Sequence, residues 1–188
     1  MFSVYREPKI INNFLTDDEC EHLIKIPHRI LDISREQFQK FITNIKNEKA
    51  GRPEEDKRTL KCINDNDPIS ISIRKRCSEI VNKPIKNFEP LQIIKYQTHG
   101  FYGEHNDSNM HIRRLYTFIF ALNDDYEGGE TYFPKMKKQF KLKKGDALLF
   151  HNFTTDGQET PLSTHGGKMV TSGEKWIANL WVRQHPYA

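Results

Sequence analysis

This chain has few cysteines and no long apolar run. Its three cysteines, Cys20, Cys62 and Cys77, are far apart and form no CxxC pair, which argues against a disulfide framework and a thiolate zinc site. No apolar run reaches the roughly 20 residues of a membrane span, and the N-terminal sequence MFSVYREPKI lacks the apolar core of a secretory signal. We therefore expect a cytoplasmic protein that does not enter a membrane.

Positive and negative side chains are also nearly equal in number. Lysine and arginine number 29 against 25 aspartate and glutamate residues, for a net charge of +4. That excess is too small to indicate a nucleic-acid partner, although it permits an anionic cosubstrate or an acidic partner. With 188 residues, of which 36% are hydrophobic, the chain has the length and composition of one globular domain with one core.

The first half of the chain carries signals for helices. Thr16 and Glu19 have the spacing of a capping box, which predicts a helix that continues to about Ile26. Ser34 starts a similar signal, and apolar residues follow it at helical spacing. A third helix is predicted after Asp67, because an N-cap residue is followed there by a proline in the first turn.

The second half carries signals for strands. A charged segment, 51–58, predicts a loop, and from residue 91 onward short runs of branched and aromatic residues alternate with turn-forming residues. The predicted strands are LQIIKY, LYTFIFAL, ETYF, QFKLK, DALLF and KWIANLWVR. Such strands indicate an antiparallel sandwich or barrel with the helices packed on one outer face, an α+β, mainly β fold.

Among the eight histidines, His105 has a carboxylate at close spacing. Asp107 follows it two positions later, just after a predicted strand, and in extended backbone side chains two positions apart point to the same side. Two histidines and one carboxylate on one face of an octahedron are the ligands of non-haem Fe(II) oxygenases. An HxD pair alone is a weak signal, since the tripeptide HND also fits an ordinary turn.

The third ligand is predicted to be His165, in STHGG, because the two glycines that follow it allow close approach of the backbone. The competing candidates are His99, His111 and His151. His151 ends an apolar strand and fits a core or edge histidine, while the other two lie in polar turns with no partner at ligand spacing.

A cation is predicted at the start of the last strand. Lys175 begins KWIANLWVR, and a lysine entering an apolar strand is costly to bury unless an anion pairs with it. Beside an HxD…H frame, this lysine could bind a dicarboxylate cosubstrate. Without that frame, it would be a solvated charge at a strand end.

Five segments together resemble the catalytic domain of prolyl 4-hydroxylases, a family of Fe(II)/2-oxoglutarate-dependent dioxygenases. They are NFLTDDECEHLI, FEPLQIIKYQTHGFYGEHND, ALNDDYEGGETYFP, KKGDALLFHN and STHGGKMVTSGEKWIANLWVR. The resemblance implies one domain over residues 1–188, with a mainly helical support region at 1–88 and a double-stranded β-helix (jelly-roll) core at 89–188. It implies hydroxylation of peptidyl-proline with Fe(II), 2-oxoglutarate and oxygen, which yields succinate and carbon dioxide, and ascorbate as the reductant.

The resemblance also implies roles for individual residues. His105, Asp107 and His165 would bind iron, and Lys175 would bind the distal carboxylate of 2-oxoglutarate. The residues implied to line the cosubstrate pocket beside the lysine are Tyr96, Thr131 and Trp181. Those implied to contact a peptide substrate are Arg58, Glu89, Tyr102 and Arg114.

The chain departs from the family pattern at three places near the predicted substrate site. Leu60 replaces the serine of an Arg-x-Ser motif, and Arg183 stands where many relatives carry a histidine. The loop between Asp107 and Arg114 is shorter than is usual in the family.

Other functions remain open on the sequence. A short loop after Asp107 would suit an oxygenase that acts on free proline, lysine or another small molecule. The lysines between residues 135 and 144 could follow phosphates, as in a nucleic-acid demethylase of the same superfamily, although their alternation with Phe140 and Leu142 favours a solvated strand face. A jelly-roll binding module without turnover is the non-enzymatic alternative.

Overall fold

The structure is a computed structural model that describes residues 4–26, 58–63 and 66–187. Within those ranges it has two α-helices, α1 (Asp17–Lys25) and α2 (Pro68–Val81), and a set of short β-strands. The strands are β1 (Lys9–Ile11), β2 (Arg58–Cys62), β3 (Gln92–Tyr96), β4 (Tyr102–His105), β5 (Arg114–Ala121), β6 (Glu127–Gly128), β7 (Thr131–Phe133), β8 (Lys138–Phe140), β9 (Ala147–His151), β10 (His165–Gly167), β11 (Val170–Ser172) and β12 (Lys175–Arg183).

The strands form two facing antiparallel sheets and a small ribbon. The major sheet has the order β1-β9-β5-β12-β3-β2, the minor sheet has the order β4-β10-β7-β8, and β6 pairs with β11. Apolar side chains fill the space between the sheets because strand residues alternate between the two faces. This inner core contains Ile94, Ile119, Phe133, Leu148, Phe150, Val170 and Ile177.

Both helices begin where the sequence predicts. Thr16 Oγ1 accepts from the Glu19 backbone N–H at 3.2 Å, and a Glu19 carboxylate oxygen accepts from the Thr16 N–H at 3.0 Å, which completes a capping box. Asp67 caps α2 by accepting from the Ser70 N–H at 2.8 Å. The helices cover the outer face of the major sheet, where the core includes Cys20, Leu23, Ile73, Cys77, Phe118, Phe120 and Leu180.

The mainly β fold with helices on one face is therefore confirmed. Each predicted strand corresponds to an observed one, but QFKLK is shorter than predicted and ends at Phe140. The chain turns after Leu142, where Asp146 accepts from the Lys143 N–H at 3.1 Å. The strands that the sequence did not predict, β1, β2, β4, β6, β10 and β11, are short, and most of them are polar or contain glycine, so they lack an apolar alternation.

The N-terminal region also contributes strands. β1 and β2 form the two edges of the major sheet, and the division of the chain at residue 88 stays a prediction. The predicted helix after Ser34 and residues 51–57 of the predicted loop 51–58 lie outside the described residues, whereas Arg58 begins β2. Cys20 and Cys77 are buried free thiols. In the part of the chain that is described, no helix is both long and apolar enough to cross a membrane.

Candidate metal centre and cosubstrate pocket

The pairing of β4 with β10 brings two histidines together. His105 and His165 are directly opposite each other in this register, and their ring centroids are 4.4 Å apart. Asp107 lies just beyond the end of β4, with its two carboxylate oxygens 3.3 Å from His105 Nε2 and 3.6 Å from His165 Nε2. Among the described residues, these three form the one group whose ligand atoms all lie within 4.8 Å of one another.

Backbone carbonyls orient both imidazole rings. His105 Nδ1 lies 2.9 Å from the Gly103 carbonyl oxygen, and His165 Nδ1 lies 2.9 Å from the Ser163 carbonyl oxygen. Because a carbonyl can only accept, each Nδ1 carries the proton and donates. The unprotonated Nε2 of each ring therefore faces the carboxylate, which is the arrangement that metal-binding histidines require.

Two polar residues hold the carboxylate in place. Thr117 Oγ1, on β5, donates to Asp107 Oδ2 at 2.7 Å, and Asn152 Nδ2 donates to Thr117 Oγ1 at 3.0 Å. Both supporting residues are buried. Neither residue stands out as a site residue in the sequence, although a hydroxyl within the apolar strand LYTFIFAL is a detectable signal, since Thr117 lies on the face that alternation turns towards the inner core.

The electrostatics favour the protonation states that bind a metal. Burial alone would raise the pKa of Asp107, but the neighbouring His165 and His105 and the Arg114 guanidinium outweigh it and hold that pKa well below its ordinary value. Burial lowers the pKa of His165 to about 4. Near neutral pH, the carboxylate is therefore ionised and His165 is neutral, as metal coordination requires.

A buried lysine lies in the same interior. Lys175 is 5% exposed, is directly opposite Tyr96 in the pairing of β12 with β3, and donates to the Gly129 carbonyl oxygen at 2.6 Å. Burial lowers its pKa to about 8. No carboxylate of the described residues lies within ion-pair distance of its Nζ, so this buried cation suits an anionic ligand.

The surroundings of Lys175 are mostly apolar. Its side chain and that of Thr131 line a small cavity of about 10 Å³, whose other walls include Ile119, Ala121 and Ile177. Further along β12, Asn179 Oδ1 and Trp181 Nε1 are buried without a hydrogen-bond partner in the described structure. A buried cation among apolar side chains, with no carboxylate partner among the described residues, suits an anionic ligand such as a dicarboxylate.

The comparisons with known proteins agree with this site. A sequence profile of the 2OG-Fe(II) oxygenase superfamily matches residues 91–183. Prolyl 4-hydroxylase 1 of Arabidopsis thaliana is 34% identical, over 93% of this chain and 68% of that protein. A protein of Acanthamoeba polyphaga mimivirus, whose name provisionally assigns it to the prolyl 4-hydroxylases, is 30% identical over 98% of this chain and 77% of its own length. This chain belongs to the prolyl 4-hydroxylase family of 2OG-Fe(II) oxygenases.

A solved structure from this family has the same fold. The viral collagen prolyl hydroxylase of Paramecium bursaria Chlorella virus-1, in its complex with 2-oxoglutarate, aligns with a TM-score of 0.70 and 27% identity, over 95% of this chain and 96% of that one. The double-stranded β-helix prediction is therefore confirmed, and the dependence on Fe(II) and 2-oxoglutarate is that of the family.

The resemblance implies three residues beside the cosubstrate lysine, and the structure places them at two separate positions. Tyr96 and Thr131 lie with Lys175, whose Nζ is 5.4 Å from the Tyr96 ring centroid. Trp181 lies at the other end of β12, opposite Thr117 in register and 4.1 Å from the Arg114 guanidinium. The tryptophan is thus placed beside the carboxylate support rather than beside the lysine.

Three of the implied peptide-binding residues surround the candidate metal ligands. The Tyr102 ring centroid is 4.1 Å from that of His105. Arg114 donates to both carboxylate oxygens of Glu89, at 2.7 and 2.8 Å, and to the Asp107 carbonyl oxygen at 3.2 Å. The fourth, Arg58, lies in β2 with its backbone opposite Tyr96, and its side chain is outside the described part.

The competing histidines lie away from the candidate ligands. His99 adopts a left-handed backbone conformation with φ of 70° in a turn, and His111 is exposed in the loop after Asp107. His151 ends β9, where its ring contacts Tyr116 with centroids 5.0 Å apart. The structure therefore brings together the three residues that the sequence favoured.

Proposed function

We propose that this chain hydroxylates prolyl residues in a peptide, using Fe(II), 2-oxoglutarate and oxygen and forming succinate and carbon dioxide. One observation carries the proposal. The His105–Asp107–His165 group packs on the same inner core as Lys175, a buried cation with no carboxylate partner among the described residues, and Tyr102 and Arg114 contact two of its members. In this proposal, one candidate metal site thus serves both a cosubstrate cation and residues that contact the substrate.

The protein's own residues bind and orient the reactants in this proposal. His105 and His165 would hold Fe(II) through Nε2, and Asp107 would hold it through its carboxylate. Lys175 pairs with the distal carboxylate of 2-oxoglutarate, assisted by the Tyr96 and Thr131 hydroxyls. Bound Fe(II) and 2-oxoglutarate together supply oxidative decarboxylation coupled to hydroxylation of a C–H bond.

The remaining groups position the substrate and exclude water. The Tyr102 ring lies against the His105 ring, and the Arg114 guanidinium lies over the Trp181 ring. The Thr117 hydroxyl fixes Asp107, so that the carboxylate does not have to reorganise when the metal binds. No side-chain base or nucleophile is needed for this reaction.

The loop after Asp107 is compact and exposed. It folds on itself, because Asn109 Oδ1 accepts from the backbone N–H groups of His111 and Ile112, each at 2.9 Å. Met110 in this loop is 60% exposed. Because a short loop would also suit a free amino acid as substrate, the assay below includes free proline and free lysine.

The lysines between residues 135 and 144 give little support to a nucleic-acid substrate. Lys138 pairs with Glu7 at 2.6 Å, and Lys144 pairs with Asp17 at 3.1 Å. Lys141 donates to the Tyr126 and Gly128 carbonyl oxygens at 3.0 and 2.6 Å. Several of the charges are thus already used within the fold.

The test is an anaerobic Fe(II) and 2-oxoglutarate titration followed by oxygen, with succinate and product mass measured together. Wild type is compared with His165→Ala and with the matched histidine control His111→Ala. The substrates are a panel of proline-containing peptides, free proline and free lysine, each with and without ascorbate, which we propose as the reductant.

The expected result is succinate matched by a mass gain of one oxygen on a prolyl peptide, lost in His165→Ala and retained in His111→Ala. Equal turnover by wild type and His165→Ala would end the metal assignment. Robust succinate formation with no peptide product, or product on a free amino acid alone, would end the peptidyl-proline assignment. A salt-sensitive mobility shift of DNA or RNA would instead favour the nucleic-acid alternative.

A further inference from the structure

One buried carboxylate near the candidate metal centre is shared by two arginines. Glu89 is 4% exposed and accepts from Arg114 on both oxygens, at 2.7 and 2.8 Å. Its Oε1 also accepts from Arg183 Nε at 2.7 Å. Three N–H donors therefore occupy this carboxylate, which leaves it poorly available to a cation on a substrate.

Hydrogen bonds to backbone carbonyls hold the segment of Asn87 and Glu89 against the end of β12. The Glu89 N–H donates to the Trp181 carbonyl oxygen at 2.9 Å. Asn87 Nδ2 donates to the carbonyl oxygens of Arg183 and Gln184, at 3.0 and 2.8 Å. Arg183 is the last residue of β12 and lies opposite Arg114, where the register of β12 against β5 shifts.

Glu89, Arg114 and Arg183 together carry one net positive charge next to the candidate metal ligand Asp107. Two guanidinium groups surround one carboxylate, and the side chain of Arg183 is 28% exposed. In the described part of the chain, no group accepts a hydrogen bond from Nη1 or Nη2 of Arg183, whose guanidinium otherwise contacts the Tyr187 ring at 4.7 Å. These two groups can donate to an anionic partner in the fork geometry that suits a carboxylate.

The surface next to these three residues also carries positive charge. Arg113 and Gln184, the chain neighbours of the two arginines, line a cleft of about 450 Å³ together with Arg6 and Asp156. Arg113 donates to Gln184 at 2.5 Å, which links the cleft to the end of β12. Asp156 already accepts from the Thr154 hydroxyl at 2.5 Å. Arg6 and Arg113 outnumber Asp156 in this cleft, so its net charge is positive.

We propose that Arg183 selects peptides that carry an acidic side chain next to the target proline. This inference rests on the proposed function and names its substrate class, an acidic proline-containing peptide. Arg183 is then a specificity residue that reads a carboxylate through its two terminal amino groups, while Glu89 holds it in place.

The test uses one proline-containing peptide in matched versions with Glu, Gln or Lys beside the proline, before or after it. The KM of each version is measured at two salt concentrations with wild type, Arg183→Gln and Arg183→Lys. Lys135→Gln is the control for loss of one exposed positive charge away from the site. The KM ratio between peptides is taken within each variant, so that a loss of folded or iron-loaded enzyme cancels.

With wild type and Lys135→Gln, we expect the Glu peptide to have a KM lower than the Gln peptide by about 5- to 20-fold, with the Lys peptide weakest. The KM ratio of the Gln peptide to the Glu peptide should decrease at high salt, because salt screens the ion pair. It should fall to within about twofold in Arg183→Gln and should be partly retained in Arg183→Lys, which keeps the charge but not the fork geometry. Equal KM values for the Glu and Gln peptides in wild type, or an unchanged preference in Arg183→Gln, would overturn the inference alone. Hydroxylation of none of the peptides would overturn the proposed function along with it.

Discussion

The Thr117 hydroxyl donates a hydrogen bond of 2.7 Å to the carboxylate of Asp107, and Asn152 in turn donates to that hydroxyl at 3.0 Å. All three residues are buried. The candidate metal site is therefore continuous with the core of the major sheet. Its carboxylate is fixed before any metal arrives, which lowers the reorganisation that binding requires.

Thr117→Val tests this support directly. Valine has the same shape without the hydroxyl, so Asp107 loses a hydrogen bond and the Asn152 amide loses its acceptor. We expect Fe(II) affinity to fall by about 10- to 100-fold, measured as the Fe(II) concentration that gives half-maximal succinate formation. Thr117→Ser keeps the hydroxyl and should stay within about threefold of wild type. Wild-type affinity in Thr117→Val would show that the hydrogen bond does not support the metal.

Lys175 makes cosubstrate binding depend on pH. Burial, with a smaller contribution from Lys141, lowers its pKa to about 8, and only the charged form pairs with a carboxylate. Above about pH 8 the free protein must take up a proton to bind, so the Kd for 2-oxoglutarate should rise by up to about tenfold per pH unit.

Anaerobic calorimetry between pH 6.5 and 9.5 measures that dependence. Lys175→Arg is the matched control, because arginine stays charged throughout this range, and its pH profile should be flat. A wild-type Kd that does not change between pH 7 and 9.5 would contradict the role of Lys175 charge in cosubstrate binding.

The same lysine should destabilise the protein when no anion is bound. Its folded-state pKa of about 8 lies below the ordinary value of 10.5, so the unfolded chain binds more protons between these two values. The free energy of unfolding should therefore rise with pH across this window and be lowest, for this group, below pH 8.

Lys175→Met removes the buried charge and keeps much of the side-chain volume. At pH 7 without cosubstrate, we expect its melting temperature to exceed that of wild type by a few degrees. Added 2-oxoglutarate should raise the melting temperature of wild type and leave that of Lys175→Met unchanged. A lower melting temperature for ligand-free Lys175→Met would argue that the lysine stabilises the fold.

Gly166 lets β10 approach β4 and β7 closely enough to place His165. A Cβ at this position would lie 2.8 Å from Tyr132 and 2.9 Å from the Tyr102 carbonyl oxygen. Gly166→Ala should therefore cost about 1–3 kcal/mol of stability through overpacking and should weaken Fe(II) binding as the two histidines separate. Thermal unfolding and metal titration measure the two effects.

Gly103→Ala is the matched control for this substitution. Gly103 lies on the neighbouring strand β4, and a Cβ there would meet nothing within 4 Å. We expect wild-type metal affinity and a change in stability of less than about 1 kcal/mol. If Gly103→Ala were as damaging as Gly166→Ala, close strand approach would not explain the result.

The sequence by itself determined the features that depend on near neighbours in the chain. The caps at Thr16 and Asp67 act over three residues, and the strand KWIANLWVR matches β12 from end to end. The pairing of His105 with Asp107 was readable because residues two apart in extended chain share a side. The motifs that resemble prolyl 4-hydroxylases added the family.

Only the tertiary structure decided which distant residues meet. Nothing near His165 in the chain states that it lies opposite His105, since that depends on the register of β10 against β4 and on the whole inner core that sets it. The same holds for Thr117 and Asn152 behind Asp107. It holds too for Glu89, which the sequence assigned to the peptide groove and which the fold places between Arg114 and Arg183. Strand pairing joins residues across long stretches of chain, and no local pattern encodes those partners.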